Sequence, residues 1–256
     1  NWDQEKVYDE KIRRMIRERF EFRYPYEYLR EMPVKLSVSE LKKRSYHSEQ
    51  DREEALFYEP DIIPLIPRFI AGEEQEIKGA ARGTAYHRVM ECLDYSRTGS
   101  EEEIRAQVAG LTEQKKMSQE EAACISTEDI MRFLRSDIGI RMGTAALDGK
   151  LYREQPFVTA VAMKEIEKNW KGGETVLVQG IIDAYFQEDE DLVLVDYKTD
   201  HVRPGEEEKL IRLYHTQLED YARALERMVK RKVKECYIYS FALGKAVSLE
   251  RAGEKT

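Results

Sequence analysis

The chain has 256 residues, of which 41% are hydrophobic and 36% charged, and its formal net charge is −8. This much apolar material can bury one large core, alone or with helical additions, and excludes global disorder. No apolar run is long enough to cross a membrane and no secretory signal opens the chain, so no membrane partner is expected.

The N-terminal part, residues 1–45, reads as a junction of helical and extended segments. Residues 3–30 have the apolar spacing of an amphipathic helix, which Pro25 should end or kink. Residues 33–45 predict a short strand and then a small helix capped by a serine. Because the chain starts at a non-Met residue inside this helical pattern, we expect it to be a piece of a longer polypeptide.

Residues 46–80 are rich in proline and lack periodicity, which predicts a long connecting segment. Helical spacing returns at residue 81, and Ser118-x-x-Glu121 has the pattern of a capping box. Four helices are predicted, over residues 81–95, 100–111, 118–135 and 138–147.

After residue 150 the chain becomes rich in β-branched and aromatic residues, which are typical of strands. A short acidic connection joins two of these strands, so they should form an antiparallel hairpin. Strands are predicted at 151–162, 174–187, 191–197, 233–242 and 245–249, with a long helix at 205–231 before the last two. This order predicts an α/β fold, with a mixed central sheet flanked by helices and an N-terminal helical extension.

Charged residues end the third of these strands, where Asp196, Tyr197 and Lys198 follow a run of Leu and Val. Strand side chains alternate between faces, so Asp196 and Lys198 share a face, and the hairpin can bring Asp183 opposite Asp196. Two carboxylates and the Tyr197 carbonyl are ligands that Mg²⁺ prefers, and a nearby ammonium can stabilise charge in a transition state. A structural Asp196–Lys198 ion pair is the alternative that the spacing alone leaves open.

Three stretches in chain order resemble the motifs of the RecB-like branch of the PD-(D/E)xK nuclease superfamily. They are GTAYHRVME (83–91), GIIDAYF with LVLVDYKTD (180–200) and QLEDYARAL (217–225). Together with KLSVSELKKR (35–44), they look most like the C-terminal nuclease domain in the A subunits of AddAB helicase–nucleases. The resemblance implies a restriction-endonuclease-like fold, with the nuclease core in residues 81–256.

The resemblance also implies a catalytic and metal-binding set. Asp183 and Asp196 match the metal-binding acids, and Lys198 matches the catalytic lysine. An upstream His87 matches a further metal ligand, and the Tyr197 carbonyl completes the expected site. The implied cofactor is Mg²⁺, for which Mn²⁺ can substitute.

Three further residues match positions of the same family. Gln217 and Tyr221 match a QxxxY pair that organises the site and contacts DNA. They are four residues apart and share a helix face, although a buried core aromatic is the ordinary interpretation of Tyr221. Glu154, in REQPF, matches a recurrent acidic position before the first core strand.

Basic residues flank these motifs. Singly, each is an ordinary solvent-exposed side chain, but as a group near the site they are candidate phosphate contacts. They are Arg82, Arg88, Arg203 and Arg212, together with His201 and Lys209.

The implied activity is a metal-dependent exonuclease that hydrolyses single-stranded DNA during double-strand break resection for recombination. Its implied partners are upstream helicase domains of the same polypeptide, which would use ATP, and an AddB-type second subunit. The alternatives are a catalytically silent DNA-end-binding or subunit-docking module of the same fold, and a stand-alone RecB-like nuclease.

Two absences in the sequence bear on cofactors and compartment. The chain has no P-loop pattern, so it should carry no ATP site of that kind. Its three cysteines are isolated and form no CxxC pair, which indicates a reducing cytoplasm. They are also too few to hold an iron–sulfur cluster, so none is expected in this chain.

Overall fold

The computed structural model of the protein describes residues 9–45, 74–170 and 172–249. The predictions for residues 3–8 and for the connecting segment at 46–73 lie outside these ranges. The chain divides into two compact units, Asn1–Val34 and Lys35–Thr256.

The first unit contains helix α1 (Glu10–Glu21) and a 3-10 turn (Glu27–Glu31). Asp9 caps α1, because its carboxylate accepts a hydrogen bond from the Lys11 backbone N–H. The helix ends before Pro25, as predicted, so the expected N-terminal helical extension is present.

The second unit is an α/β fold in which helices precede and follow the main strands. Its helices are α2 (Val38–Ser45), α3 (Glu74–Cys92), α4 (Glu101–Glu113), α5 (Gln119–Ala123), α6 (Thr127–Arg135), α7 (Asp137–Leu147), α8 (Met163–Ile166) and α9 (Glu207–Val229). Its strands are β1 (Lys35–Ser37), β2 (Leu151–Ala162), β3 (Thr175–Glu188), β4 (Asp191–Lys198), β5 (Val233–Ser240) and β6 (Lys245–Leu249). Of the helices in the described ranges, none is both long and apolar enough to span a membrane.

The six strands form one mixed sheet in the order β1-β3-β4-β5-β6, and β2 also pairs with β3. β3 is antiparallel to both β2 and β4, whereas β1 runs parallel to β3 and β4 runs parallel to β5. The predicted β3–β4 hairpin and the predicted mixed sheet flanked by helices are therefore confirmed.

Helices cover both faces of the sheet. Val195 and Tyr197 of β4 point to one face, where they share a core with residues of α3, α4, α6 and α7. Leu194 and Asp196 point to the other face, because strand side chains alternate. Helix α9 lies there, since Gln217 on its buried side reaches Asp196.

Local side-chain hydrogen bonds explain where several helices begin. Ser37 and Glu40 bond reciprocally at the start of α2, and Ser118 forms the predicted capping box with α5. The predicted single helix over 118–135 is wrong, because the chain breaks after α5. Ser126 then caps α6 by accepting a hydrogen bond from the Asp129 backbone N–H.

Two segments differ from the expected boundaries. Residues 35–45 were expected in the junction, yet they lie in the second unit, where β1 pairs with β3 and α2 follows it. Helix α3 begins at Glu74, before the expected start at residue 81. Both differences lengthen the part of the chain that packs around the sheet.

Candidate active site

The site lies where β3 changes partners along one edge. The pairing of β3 with β1 ends at Gln179, and its pairing with β4 begins at Ala184. Asp183 stands just before β4 joins, and the alternating register places it across from Asp196. This gap in the ladder gives polar side chains room beside strands that are otherwise buried.

The Asp183 carboxylate is held on both oxygens. One oxygen accepts a hydrogen bond of 2.8 Å from the Tyr197 backbone N–H, and the other lies 3.4 Å from His87 Nδ1. Burial by itself would raise the pKa of Asp183. The charge of His87, the hydrogen bond from His87 and the charge of Lys198 instead hold that pKa below its usual range.

His87 on α3 lies between two carboxylates. Its Nδ1 is 4.0 Å from Glu154 Oε1 as well as 3.4 Å from Asp183 Oδ1. Burial lowers the pKa of His87, but the charge of Asp183 and its hydrogen bond outweigh burial and raise that pKa to about 9. Without a metal ion, His87 is therefore the positive partner of these acids.

Glu154 reaches the site through an unusual backbone conformation. Its φ is +48°, in the left-handed region that few residues other than glycine adopt. Strands β2 and β3 pair in the same register before and after Glu154, so Glu154 stands opposite Asp183. Burial and the charge of Asp183 raise the pKa of Glu154 to about 7. Backbone strain of this kind tends to occur at functional sites.

These three side chains fit a divalent cation. One ligand atom from each of His87, Glu154 and Asp183 lies within 4.8 Å of the others. The two carboxylate oxygens and the imidazole nitrogen are suitable donors for Mg²⁺ or Mn²⁺. A cation would also relieve the repulsion that raises the pKa of Glu154.

Asp196 lies deeper, beside Lys198. Asp196 is 1% exposed, and its Oδ2 is 3.0 Å from Lys198 Nζ. Gln217 Nε2 lies 3.4 Å from Asp196 Oδ1 and 3.3 Å from the Tyr221 hydroxyl, so the QxxxY pair lines this pocket. The two acids and the amine that the strand pattern predicted thus lie on β3 and β4, where β3 changes partners and β4 ends.

Gly180 makes room for the QxxxY helix. A Cβ atom at Gly180 would lie 2.8 Å from the Phe157 ring and 3.1 Å from the Tyr221 ring. These two rings also contact each other edge to face, at 5.7 Å between centroids. The absence of a side chain at Gly180 therefore lets α9 approach β3 close enough for Gln217 to reach Asp196.

The four predicted DNA-binding arginines occupy two places. Arg82 and Arg88 lie on α3, where Arg82 pairs with Asp129 at 3.6 Å and Arg88 pairs with Glu91. Arg203, in the loop after β4, and Arg212, on α9, are both exposed. His201 and Lys209 belong to this second segment too.

Two contacts of Tyr214, one with Lys198 and one with Asp200, were not predicted from the sequence. Lys198 Nζ lies 4.6 Å from the centroid of the Tyr214 ring, and the Tyr214 hydroxyl donates a 2.6 Å hydrogen bond to Asp200. The sequence feature that could have predicted them is the spacing of Tyr214, which precedes Gln217 by three residues and so lies on the same face of α9. Glu154 was not among the predicted metal ligands, although it matched a recurrent acidic position of the family.

Comparison with known proteins agrees with this geometry. A model of the PD-(D/E)XK nuclease superfamily matches residues 64–252. Relatives in several bacteria are named as the A subunit of an ATP-dependent helicase/nuclease. The protein of Clostridium perfringens is 36% identical over 250 residues, which is 92% of this chain and 20% of that protein. Those of Clostridium beijerinckii and Lachnoclostridium phytofermentans are 34% and 31% identical, over 95% and 90% of this chain.

The chain spans about a fifth of the length of these relatives. The match covers all the elements around the site, from α3 to β6. Members of this superfamily use divalent metal ions, in keeping with the donor set beside Asp183. The chain therefore belongs to the PD-(D/E)XK nuclease superfamily and is similar to part of the A subunits of ATP-dependent helicase–nucleases.

Proposed function

We propose that the chain is the nuclease part of a metal-dependent DNA exonuclease that hydrolyses phosphodiester bonds in single-stranded DNA. One observation carries the proposal. β4 brings Asp196 and Lys198, 3.0 Å apart, to the point where β3 brings Asp183 beside His87. Acids for a cation next to a buried ammonium form a charge pattern suited to a phosphate diester in its transition state.

The proposed metal ligands are His87, Asp183, Asp196 and the Tyr197 carbonyl, and the structure adds Glu154 as a candidate. When bound, Mg²⁺ or Mn²⁺ would act as a Lewis acid and lower the pKa of a coordinated water. Asp183 is already oriented for this role by the Tyr197 backbone N–H. His87 would give up its proton to become a ligand, because a metal ligand must be a neutral imidazole.

The proposed role of Lys198 is electrostatic. Its ammonium, oriented by Asp196, would donate a hydrogen bond to a non-bridging phosphate oxygen as negative charge builds there. Gln217 would keep the Asp196 carboxylate in place by donating a hydrogen bond to it, and the Tyr221 hydroxyl would hold Gln217, since both side chains are buried. Their burial suits the organising role of the pair.

The DNA strand would be held by phosphate contacts from the flanking basic residues. Phosphate contacts position a strand without reading its sequence, as an exonuclease requires. The proposed contacts are the exposed Arg203 and Arg212, in the loop after β4 and on α9, together with Arg82 and Arg88 on α3. The net charge of −8 makes such local basic groups necessary for binding a polyanion.

The wider context of the reaction rests on the relatives. Their name supports a proposal that this nuclease works beside helicase domains of a longer polypeptide, in which ATP drives the strand toward it. The proposed partner is an AddB-type second subunit. The proposed process is resection of double-strand breaks for recombination, and the proposed compartment is the cytoplasm.

The test is cleavage of a single-stranded oligonucleotide with Mg²⁺ by wild type, Asp196→Ala and Asp191→Ala. Asp191 is the matched control, because it lies on the same strand at the far end from the site. We expect Asp196→Ala to abolish cleavage with the fold intact by circular dichroism, and Asp191→Ala to cleave like wild type. Circular single-stranded DNA should resist, because an exonuclease needs an end.

Equal cleavage by wild type and Asp196→Ala would refute the site. Binding of DNA ends by wild type without any Mg²⁺- or Mn²⁺-dependent cleavage would favour the silent end-binding module. Cutting of circular DNA at the same rate as linear DNA would refute the exonuclease assignment.

A further inference from the structure

We infer that Tyr214 and Asp200 are positioning residues, which hold the Lys198 ammonium at the reacting phosphate. The inference rests on the proposed nuclease function and deepens it. It assigns a role in the rate of the chemical step to two residues that are not among the predicted catalytic or metal-binding residues.

The Lys198 side chain is nearly enclosed, at 7% exposure, and so cannot rely on water to orient its ammonium. Asp196 supplies a counter-charge at 3.0 Å, and the Tyr214 ring offers its negative face at 4.6 Å. A lysine has a flexible four-carbon stem, and an ion pair alone leaves many of its rotations open. The ring closes one side of the pocket and so limits where Nζ can lie.

The Tyr214 ring is itself fixed. Its hydroxyl donates a 2.6 Å hydrogen bond to Asp200 Oδ2, and the two residues are 1% and 9% exposed. A short bond to a buried carboxylate is a strong, charge-assisted one. Asp200 lies two residues after Lys198, so the ring is tied to the same chain segment that carries the ammonium.

Helix α9 couples this contact to Asp196. Tyr214 and Gln217 are three residues apart, so they share one helix face, with Tyr214 over Lys198 and Gln217 beside Asp196. Asp196 and Lys198 are two residues apart on a strand, a distance of about 6.6 Å, which is close to the rise of one helical turn. One face of α9 thus fits against both charged groups.

A purely structural interpretation treats Tyr214 as one more core aromatic. Tyr239 is a matched case, because it is 0% exposed and packs against Phe133 and Phe241. Loss of either ring removes a similar amount of buried surface. Of these two rings, it is the Tyr214 ring that faces the Lys198 ammonium, so the two positions separate packing from positioning.

The experiment measures kcat and KM on a linear single-stranded oligonucleotide at saturating Mg²⁺ for wild type, Tyr214→Leu, Tyr214→Phe, Asp200→Asn and Tyr239→Leu. We expect Tyr214→Leu to lower kcat about 100-fold, with KM within about threefold, because a misplaced group costs chemistry rather than binding. Tyr214→Phe keeps the ring and loses its hydrogen bond, so it and Asp200→Asn should lower kcat only about threefold to tenfold. Tyr239→Leu should keep kcat within about threefold of wild type, although its melting temperature falls as much as that of Tyr214→Leu.

Binding of Mn²⁺, measured by calorimetry, should change little in Tyr214→Leu, since the His87–Glu154–Asp183 group does not involve the ring. A folded Tyr214→Leu with wild-type kcat, or equal losses of kcat in Tyr214→Leu and Tyr239→Leu, would overturn the inference. If Tyr214→Leu does not fold, unchanged kcat in both Tyr214→Phe and Asp200→Asn would overturn it instead. Absence of metal-dependent cleavage by wild type would refute the proposed function itself.

Discussion

Glu154 stands opposite Asp183 across the β2–β3 pairing, and an oxygen of each carboxylate lies within 4.0 Å of the same nitrogen of His87. Two acids this close repel each other, which is one reason why the pKa of Glu154 rises to about 7. The protonated His87 compensates them in the absence of metal. A divalent cation would replace that single positive charge with two.

This relationship predicts that Glu154→Gln weakens Mn²⁺ binding about tenfold, because a charged ligand becomes a neutral one. Isothermal calorimetry measures the affinity directly, without DNA or turnover. The control is Glu190→Gln, whose side chain is 93% exposed and pairs loosely with Arg231. Identical Mn²⁺ affinity in wild type and Glu154→Gln would place the ion away from this carboxylate.

Much of the site was predictable because strand geometry is simple. The Leu and Val run of β4 fixed which residues face each way, and a short acidic turn fixed the hairpin that brings Asp183 across from Asp196. These inferences need only a period of two and a turn length. The mixed sheet and its covering by helices followed from the order of elements, whereas the order of the strands in the sheet was not predicted.

The rest depended on backbone and packing details that no periodic pattern carries. Glu154 adopts a φ of +48° although nothing in REQPF demands it, so its entry into the His87 group was not predicted. Tyr214 belongs to the apolar stripe of α9, where its contact with Lys198 is indistinguishable from ordinary core packing. The break before α6 depended on competition between serine caps.

The close approach of α9 to β3 predicts a strong effect of Gly180→Ala. The added Cβ would meet ring carbons of Phe157 and Tyr221 at 2.8 and 3.1 Å, so these rings must shift. Overpacking of this kind costs about 1–3 kcal/mol of unfolding free energy. Urea denaturation measures the loss, and cleavage should fall as well, because a displaced Tyr221 ring disturbs the hydrogen bond between its hydroxyl and Gln217, beside Asp196.

The matched control for Gly180→Ala is Gly110→Ala on α4. A Cβ at Gly110 has no atom within 4 Å, and the position lies inside a helix. We expect Gly110→Ala to raise the unfolding free energy by about 0.5–1 kcal/mol. Equal stability of the two variants would contradict the close approach at Gly180.

Arg141 ties α7 to two strands and should not tolerate lysine. Its Nε and Nη2 donate to both oxygens of Glu188 at 2.9 and 2.7 Å, and its Nη1 donates to Glu235 at 2.7 Å. A lysine cannot reproduce this forked geometry, so Arg141→Lys should lower the unfolding free energy by about 1–2 kcal/mol. Thermal and urea unfolding measure it.

Arg105→Lys provides the comparison for Arg141→Lys. Arg105 is 64% exposed and lies 3.9 Å from Glu101 one turn away on α4, so its replacement should change stability by less than about 0.5 kcal/mol. The larger loss at Arg141 should persist at high salt, since the half-buried forked pair is poorly screened. If Arg141→Lys loses no more unfolding free energy than Arg105→Lys, then the pairing of Arg141 with Glu188 and Glu235 contributes no more than an ordinary surface ion pair.

We predict that replacing Asp220 on α9 by a neutral side chain stabilises the fold, and that the gain depends on pH. Burial is the main reason that its pKa rises to about 6; Arg223 opposes this shift, and the charges of Glu219 and Glu165 add to it. The folded pKa exceeds the unfolded value of about 3.9, so the folded state binds the proton more tightly. The contribution of the Asp220 proton to the unfolding free energy is therefore complete below about pH 4 and is lost as the pH rises through about 6.

We expect Asp220→Asn to have an unfolding free energy about 1 kcal/mol above wild type at about pH 7.5, with the difference reduced to about a third of that at about pH 4.5. The small magnitude allows for the 22% of the side chain that remains exposed. Urea unfolding at both pH values measures the difference, and Asp148→Asn, at a position 57% exposed, should show no such dependence. A gain for Asp220→Asn that is equal at both pH values would mean that the proton on Asp220 does not stabilise the fold, and that the variant acts through packing instead.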